Sequence, residues 1–248
     1  MKKMNKSQKI YLFLIVLLAF LSALNVYLPQ GYMFSLENLP ASKPIIALAN
    51  FGLILLLYGI LGCIGLSLSQ KLNIPGLYNS KISDKQRFLL PAYIGIAIGI
   101  IFILVDTIFQ QLHKLGPLPH PPFPTSLVAS LSAAIGEEII FRLFFISFWV
   151  WIISHVILKK RWKNHIFLII TLLSALLFSI THLPSIMILY EFDSLSAMPG
   201  ALVIEIFLLN GLLSIFAAYY WKKFGFLAAV SIHFWTDFVW HVVWGLMK

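Results

Sequence analysis

Glu137, Glu138 and Arg142 stand together in Ala-Ala-Ile-Gly-Glu-Glu-Ile-Ile-Phe-Arg, three formal charges in the middle of a long apolar stretch. An Asp, Lys or Arg at the centre of a membrane helix costs about 2.5–3.5 kcal/mol on insertion scales, so such groups face a protein interior and mark a pathway or a reactive site. Glu138 and Arg142 are four positions apart and share a helical face, whereas Glu137 is five from Arg142 and points away. Glu138 is therefore the expected partner of Arg142, and Glu137 is the carboxylate left free to act as a general base. A structural alternative makes all three one buried ionic knot, which accounts for Glu138 and Arg142 better than for Glu137.

Two further places carry polar chemistry. Phe178-Ser-Ile-Thr-His182 precedes Pro184, so His182 sits beside a residue that interrupts the helical hydrogen-bond ladder. His233-Phe-Trp-Thr-Asp237 puts an imidazole and a carboxylate four apart on one face, a spacing that suits a metal pair or a carboxylate that orients a histidine. Each also has a packing interpretation, a hydrogen-bonded core histidine and a polar helix–helix contact. It is the presence of Glu137 that points His182 and His233 toward catalysis.

These residues must be positioned by membrane helices. Of 248 residues, 60% are hydrophobic and 11% charged, and the mean hydropathy is +0.92, which specifies an all-α polytopic transmembrane bundle. Seven apolar stretches are long enough to span a bilayer, near 10–28, 45–68, 89–110, 125–157, 166–189, 200–221 and 225–246. With this count, every Lys and Arg except Lys43, Lys114, Lys248 and the intramembrane Arg142 falls on one side. The positive-inside rule then places the N-terminus in the cytoplasm. The net charge of +9 is thus a topology signal rather than the footprint of a nucleic-acid partner, since the basic residues form no stripe. The first span reads as a retained anchor, because no small-x-small cleavage site follows it.

Other features are weighed as architecture. Gly95 and Gly99 form a Gly-x-x-x-Gly pair, which favours close helix approach. The stretch Gly116-Pro-Leu-Pro-His-Pro-Pro-Phe-Pro124 reads as a stiff external connection, and the lone Cys63 as a packed apolar residue. Asp106 and Glu205 lie toward the outer ends of their spans and His241 drifts off the face of His233, so all three are assigned to the interface. Trp235, Trp240 and Trp244 are read as belt or packing aromatics. No repeat is visible, and residues 1–248 are read as a single integral membrane domain.

At the three polar places the chain resembles the CAAX protease and bacteriocin-processing family of intramembrane proteases, with its prenyl-protein and lysostaphin-resistance branches. The family's motifs run Glu-Glu-x-x-x-Arg, Phe-x-x-x-His and His-x-x-x-Asn/Asp on separate helices. Here they are Glu137-Glu138-Ile-Ile-Phe-Arg142, Phe178-Ser-Ile-Thr-His182 and His233-Phe-Trp-Thr-Asp237, and the likeness covers roughly 125–240. The resemblance implies an intramembrane endopeptidase in which Glu137 with His182 activates a water, and His233 and Asp237 stabilise the developing oxyanion. Glu138, Arg142 and Phe178 would support the site. In the prenyl-protein branch the last position is Asn, which can donate to an oxyanion. An ionised Asp237 cannot, so it must be protonated, orient His233 or bind a cation.

Glu137, His182, His233 and Asp237 are also a possible ligand set for a divalent metal such as zinc, although His-Glu-x-x-His is absent. The implied partners are the bilayer and a membrane-associated peptide or protein, prenylated or of signal or bacteriocin type, and the expected location is the plasma membrane of a prokaryote. Two alternatives stand beside this reading. One is a non-enzymatic scaffold or bacteriocin-immunity protein whose polar cluster is structural. The other is an ion-coupled carrier with Glu137 as its proton site, which the lack of repeat symmetry disfavours.

Overall fold

Apolar stretches that cannot leave a backbone N–H or C=O unpaired in lipid become helices, and among the described residues they form seven. The computed structural model describes residues 4–31 and 40–248, and no strand occurs among them. The helices long and apolar enough to cross a membrane are α1 (Lys6–Asn25), α2 (Lys43–Lys71), α3 (Lys85–His113), α4 (Thr125–Ile157), α5 (Lys163–Leu189), α6 (Gly200–Phe224) and α7 (Phe226–Trp244). They make an integral, multi-pass membrane protein, as composition requires.

The helix ends follow local chemistry that hydropathy alone does not show. α1 begins before its apolar run because Asn5 and Gln8 form a reciprocal capping box, the Asn5 side chain accepting from the Gln8 N–H and the Gln8 side chain from the Asn5 N–H. α5 continues through Pro184 to Leu189. α6 and α7 are separated by Gly225 alone, at φ +88°, where an added Cβ would lie 2.6 Å from the Gly76 carbonyl oxygen. That one left-handed residue reverses the chain and sends α7 back through the bundle.

The basic segments gather at one end of the bundle. Ser7 hydrogen-bonds the carbonyl of Tyr78, the Lys6 ammonium lies 3.5 Å from the centroid of the Tyr78 ring, and Lys163 donates to the Leu72 carbonyl. Lys2 and Lys3 of the basic leader lie outside the described residues. At the opposite end Thr125 bonds the carbonyl of Pro29 and Tyr190 that of Pro117.

α7 is the most enclosed span and packs against α3, α4 and α6. Lipid tails are as apolar as leucine, so helices in a bilayer associate by close packing rather than by exclusion from water. The α3–α7 contact is built this way. A Cβ on Gly95 would meet the carbonyl oxygen of Ile232 at 2.5 Å, and one on Gly99 would meet that of Thr236 at 2.9 Å. The Thr236 hydroxyl donates to the carbonyl of Gly95 across the same seam. Since Ile232 and Thr236 flank His233, this seam sets the depth and rotation of that histidine.

Gly95→Ala should therefore destabilise the bundle by about 1–3 kcal/mol, the usual cost of overpacking. Gly59→Ala, where a Cβ meets nothing within 4 Å, should leave the melting temperature in detergent near that of the wild type. Equal melting temperatures for the two variants would show that the seam is not tight.

Candidate active site

Glu137 and Glu138 end the regular part of α4, and from Ile139 to Ile146 the helix widens into π-helical turns. π-helical segments are frequent at functional sites, and this one carries Arg142. The Arg142 Nε lies 3.1 Å from Glu138 Oε2, with both side chains fully buried. The expected pairing across four positions is present, at ion-pair distance though not in hydrogen-bond geometry. Among the described residues the remaining guanidinium nitrogens have no hydrogen-bond partner, and the group lies against the face of Phe178, 4.9 Å from its centroid. A buried cation without enough acceptors is stabilised in part by the ring's negative face. Phe178 thus has a specific place: it also meets the rings of His182 at 4.8 Å and His233 at 6.0 Å edge-on.

Glu138 does more than pair with Arg142. Its other oxygen, Oε1, is 2.8 Å from His233 Nδ1. A carboxylate only accepts, so Nδ1 carries the proton and the chain Arg142–Glu138–His233 fixes the imidazole's orientation. The sequence offered Asp237 for that task. Asp237 instead faces the other nitrogen, with Oδ2 3.4 Å from Nε2, on the side where Glu137 Oε2 stands at 3.6 Å. Both distances exceed a normal hydrogen bond and leave Nε2 between two carboxylates without a tight partner.

On α5, His182 Nδ1 is 2.8 Å from the carbonyl of Phe178. A carbonyl accepts, so the proton is on Nδ1 and Nε2 is the nitrogen available for chemistry. Glu137, His182, His233 and Asp237 all line one cavity of about 210 Å³, closed by apolar side chains of α3, α5, α6 and α7 and by Leu118 and Pro119. The Glu137 side chain keeps 33% of its surface accessible, while that of Glu138 keeps none. The two adjacent glutamates therefore have different surroundings, one open to the cavity and one locked. A larger groove of about 830 Å³ runs between α1 and α2, but none of the motif residues lines it.

All three interfacial assignments from sequence change, and that of Cys63 with them. His241 lines the cavity rather than the interface. From Phe238 to Trp244 α7 is π-helical, and its wider turn advances each residue through a smaller angle, which swings His241 back toward the face of His233. Its Nδ1 lies 3.2 Å from Nδ1 of His120 in the Pro-rich segment. Burial, with His241 and Lys248 nearby, pushes the His120 imidazole down to about 3, so this ring stays neutral.

Asp106 and Glu205 are both fully buried, not interfacial. Glu205 Oε2 is 3.0 Å from His113 Nε2, and Asp106 Oδ1 accepts the N–H of Leu118. Trp240 is likewise buried, against Phe102 and His120, and Cys63 is exposed rather than packed. Among the described residues, no three His, Cys, Asp or Glu side chains are placed to hold a metal ion together.

Residues 119–239 match the family model for type II CAAX prenyl endopeptidase, Rce1-like, the stretch that contains all three motifs. No curated protein and no solved structure matches the chain.

Proposed function

We propose that this chain, a member of the Rce1-like family over residues 119–239, is an intramembrane endopeptidase that uses Glu137 to activate water against a peptide bond of a membrane-associated substrate. The observation that supports this reading best is the convergence of Glu137, His182, His233 and Asp237 on one cavity, with Glu137 as its accessible carboxylate.

In the proposed reaction a water held by Glu137 and His182 Nε2 attacks the scissile carbonyl carbon. Its proton passes to Glu137 as the carbonyl oxygen becomes an oxyanion. A proton on His233 Nε2 donates to that oxyanion, and Glu138 on Nδ1 holds the ring in place for it. Asp237, beside the same nitrogen, supports the proton on Nε2 and takes a positioning part rather than donating itself. The tetrahedral intermediate then collapses, the carbon–nitrogen bond breaks, and Glu137 returns its proton to the leaving amine. The products are a carboxylate and an amine. No step is routed through a metal.

The scaffold alternative accounts for the Arg142–Glu138–His233 chain, which any rigid bundle could use. It does not account for a half-open carboxylate facing two histidines across a cavity.

The test is cleavage of quenched fluorescent peptides, prenylated and signal-type, by protein in nanodiscs of plasma-membrane lipid. Wild type is expected to cleave at least one class and to keep that activity in a chelator. His182→Ala should lower turnover about 10²-fold or more, the usual contribution of a positioned acid–base group, with an unchanged melting temperature. Folded wild-type protein that leaves every class intact would overturn the reading, and loss of activity in the chelator would overturn its metal-free form.

A further inference from the structure

The Pro-rich segment after α3 borders the same cavity, and the manner of its attachment is unusual for an external loop. Leu118 is only 8% exposed, and it and Pro119 both line the cavity beside Glu137 and His182. The Leu118 N–H does not meet solvent or its own segment: it donates to Asp106 Oδ1, a full turn or more back inside α3, at 2.9 Å. Asp106 belongs to a buried group with His113 and Glu205, each with a side chain of little or no exposure. In that group His113 Nδ1 accepts the N–H of Leu115, so its Nε2 carries the proton and donates to Glu205. One residue beyond Pro119 the segment is held again, by His120 against His241 and, edge-on, against Trp240 at 4.6 Å. Two carboxyls buried in an apolar end of the bundle, one accepting the Leu118 amide directly and the other joined through His113 to the Leu115 amide, are costly to place there for packing alone.

We propose that the buried Asp106–His113–Glu205 group is a latch that holds residues 115–119 as the outer wall of the cleavage cavity, which makes Asp106 a positioning residue for substrate. The latch fixes the wall's backbone at Leu115 and Leu118, while the prolines on either side of Leu118 keep the segment extended between its two attachments. Substrate then binds against Leu118 and Pro119 on one side and Glu137 on the other. The consequence for catalysis rests on the endopeptidase reading above, whereas the attachment itself does not.

The experiment separates the two. In a Cys63→Ser background, Pro119→Cys is labelled with a membrane-impermeant maleimide, alone and combined with Asp106→Ala, Asp106→Asn or Leu118→Pro. Asp106→Ala removes the acceptor, and Leu118→Pro removes the donor without touching the buried group. Asp106→Asn keeps an oxygen able to accept. The expected result is a labelling rate at least fivefold higher for the Ala and Pro variants and unchanged for Asn. In the Pro119-intact proteins, KM for a cleaved peptide should rise about tenfold for Ala and Pro with kcat within twofold, and Asn should restore it. Equal labelling in all four proteins would overturn the latch, as would an Asn variant that labels as fast as Ala. Should Asp106→Ala fail to fold, Leu118→Pro against the parent decides the matter by itself. Raised labelling without any cleavage by the parent would keep the latch and reject the endopeptidase reading.

Discussion

Glu137→Gln is expected to lower the rate of peptide cleavage about 10²- to 10⁴-fold while the protein keeps its fold. The amide has the shape of the carboxylate, so the cavity wall at this point is unchanged, but it can neither take the water's proton nor return one to the leaving amine. Its effect on stability should be small, about 1 kcal/mol or less, because the side chain is a third exposed and makes no close hydrogen bond that the fold depends on. Single-turnover cleavage measured beside the melting temperature in the same detergent distinguishes the outcomes. A scaffold would show the reverse pattern, a shifted melting temperature and no catalytic deficit because there is no catalysis to lose. Substantial cleavage by folded Glu137→Gln protein would remove Glu137 from the mechanism altogether.

The contrast between the two adjacent glutamates is legible in the sequence, because helical geometry alone separates a residue four positions from Arg142 from one five positions away. The seven spans were legible too: apolar length is a strong signal in a chain whose solvent is lipid. Their inner ends were less so. The capping box at Asn5 and Gln8 extends α1 by a turn through polar residues, and α3 begins at Lys85 inside a basic segment, where hydropathy gives no hint of helix.

What the sequence concealed at the site was a matter of pitch and of distant partners. His241 lies eight positions from His233, which in a regular α-helix puts it off the face. Nothing in Phe-Val-Trp-His announces the π-helical turns that swing it back. The orienting partner of His233 was also hidden. Asp237, four residues away, is the natural local candidate, but Glu138 on another helix accepts the hydrogen bond from Nδ1–H and leaves Asp237 beside Nε2. The burial of Asp106 and Glu205 failed to show for a related reason: each was placed by its distance from a helix end, whereas the partners that allow burial, His113 and the Leu118 amide, come from elsewhere in the chain.

Arg142→Met should be the most damaging single substitution for the fold. Glu138 would then lie fully buried with Oε2 facing no cation, and removing one partner of a buried ion pair costs about 3–5 kcal/mol because the other charge stays behind unpaired. At the scale of a chain of this size, that is a fall in melting temperature of about 10 °C. Phe178 would also lose the guanidinium that lies on its face, so the variant should disturb the α4–α5 contact as well as the pair itself. The double variant Glu138→Met, Arg142→Met supplies the decisive comparison. With both charges gone and the apolar volume roughly kept, it should recover much of the lost stability, since a buried pair is often replaceable by apolar residues without net cost. It should not recover activity, because His233 would have lost the acceptor on Nδ1 that sets its orientation toward Glu137. A stable, inactive double variant beside an unstable single one would show that the Arg142–Glu138–His233 chain is retained for the direction of one imidazole, not for the strength of the bundle. An Arg142→Met protein as stable as wild type would show that the Arg142–Glu138 pair does not hold the bundle together.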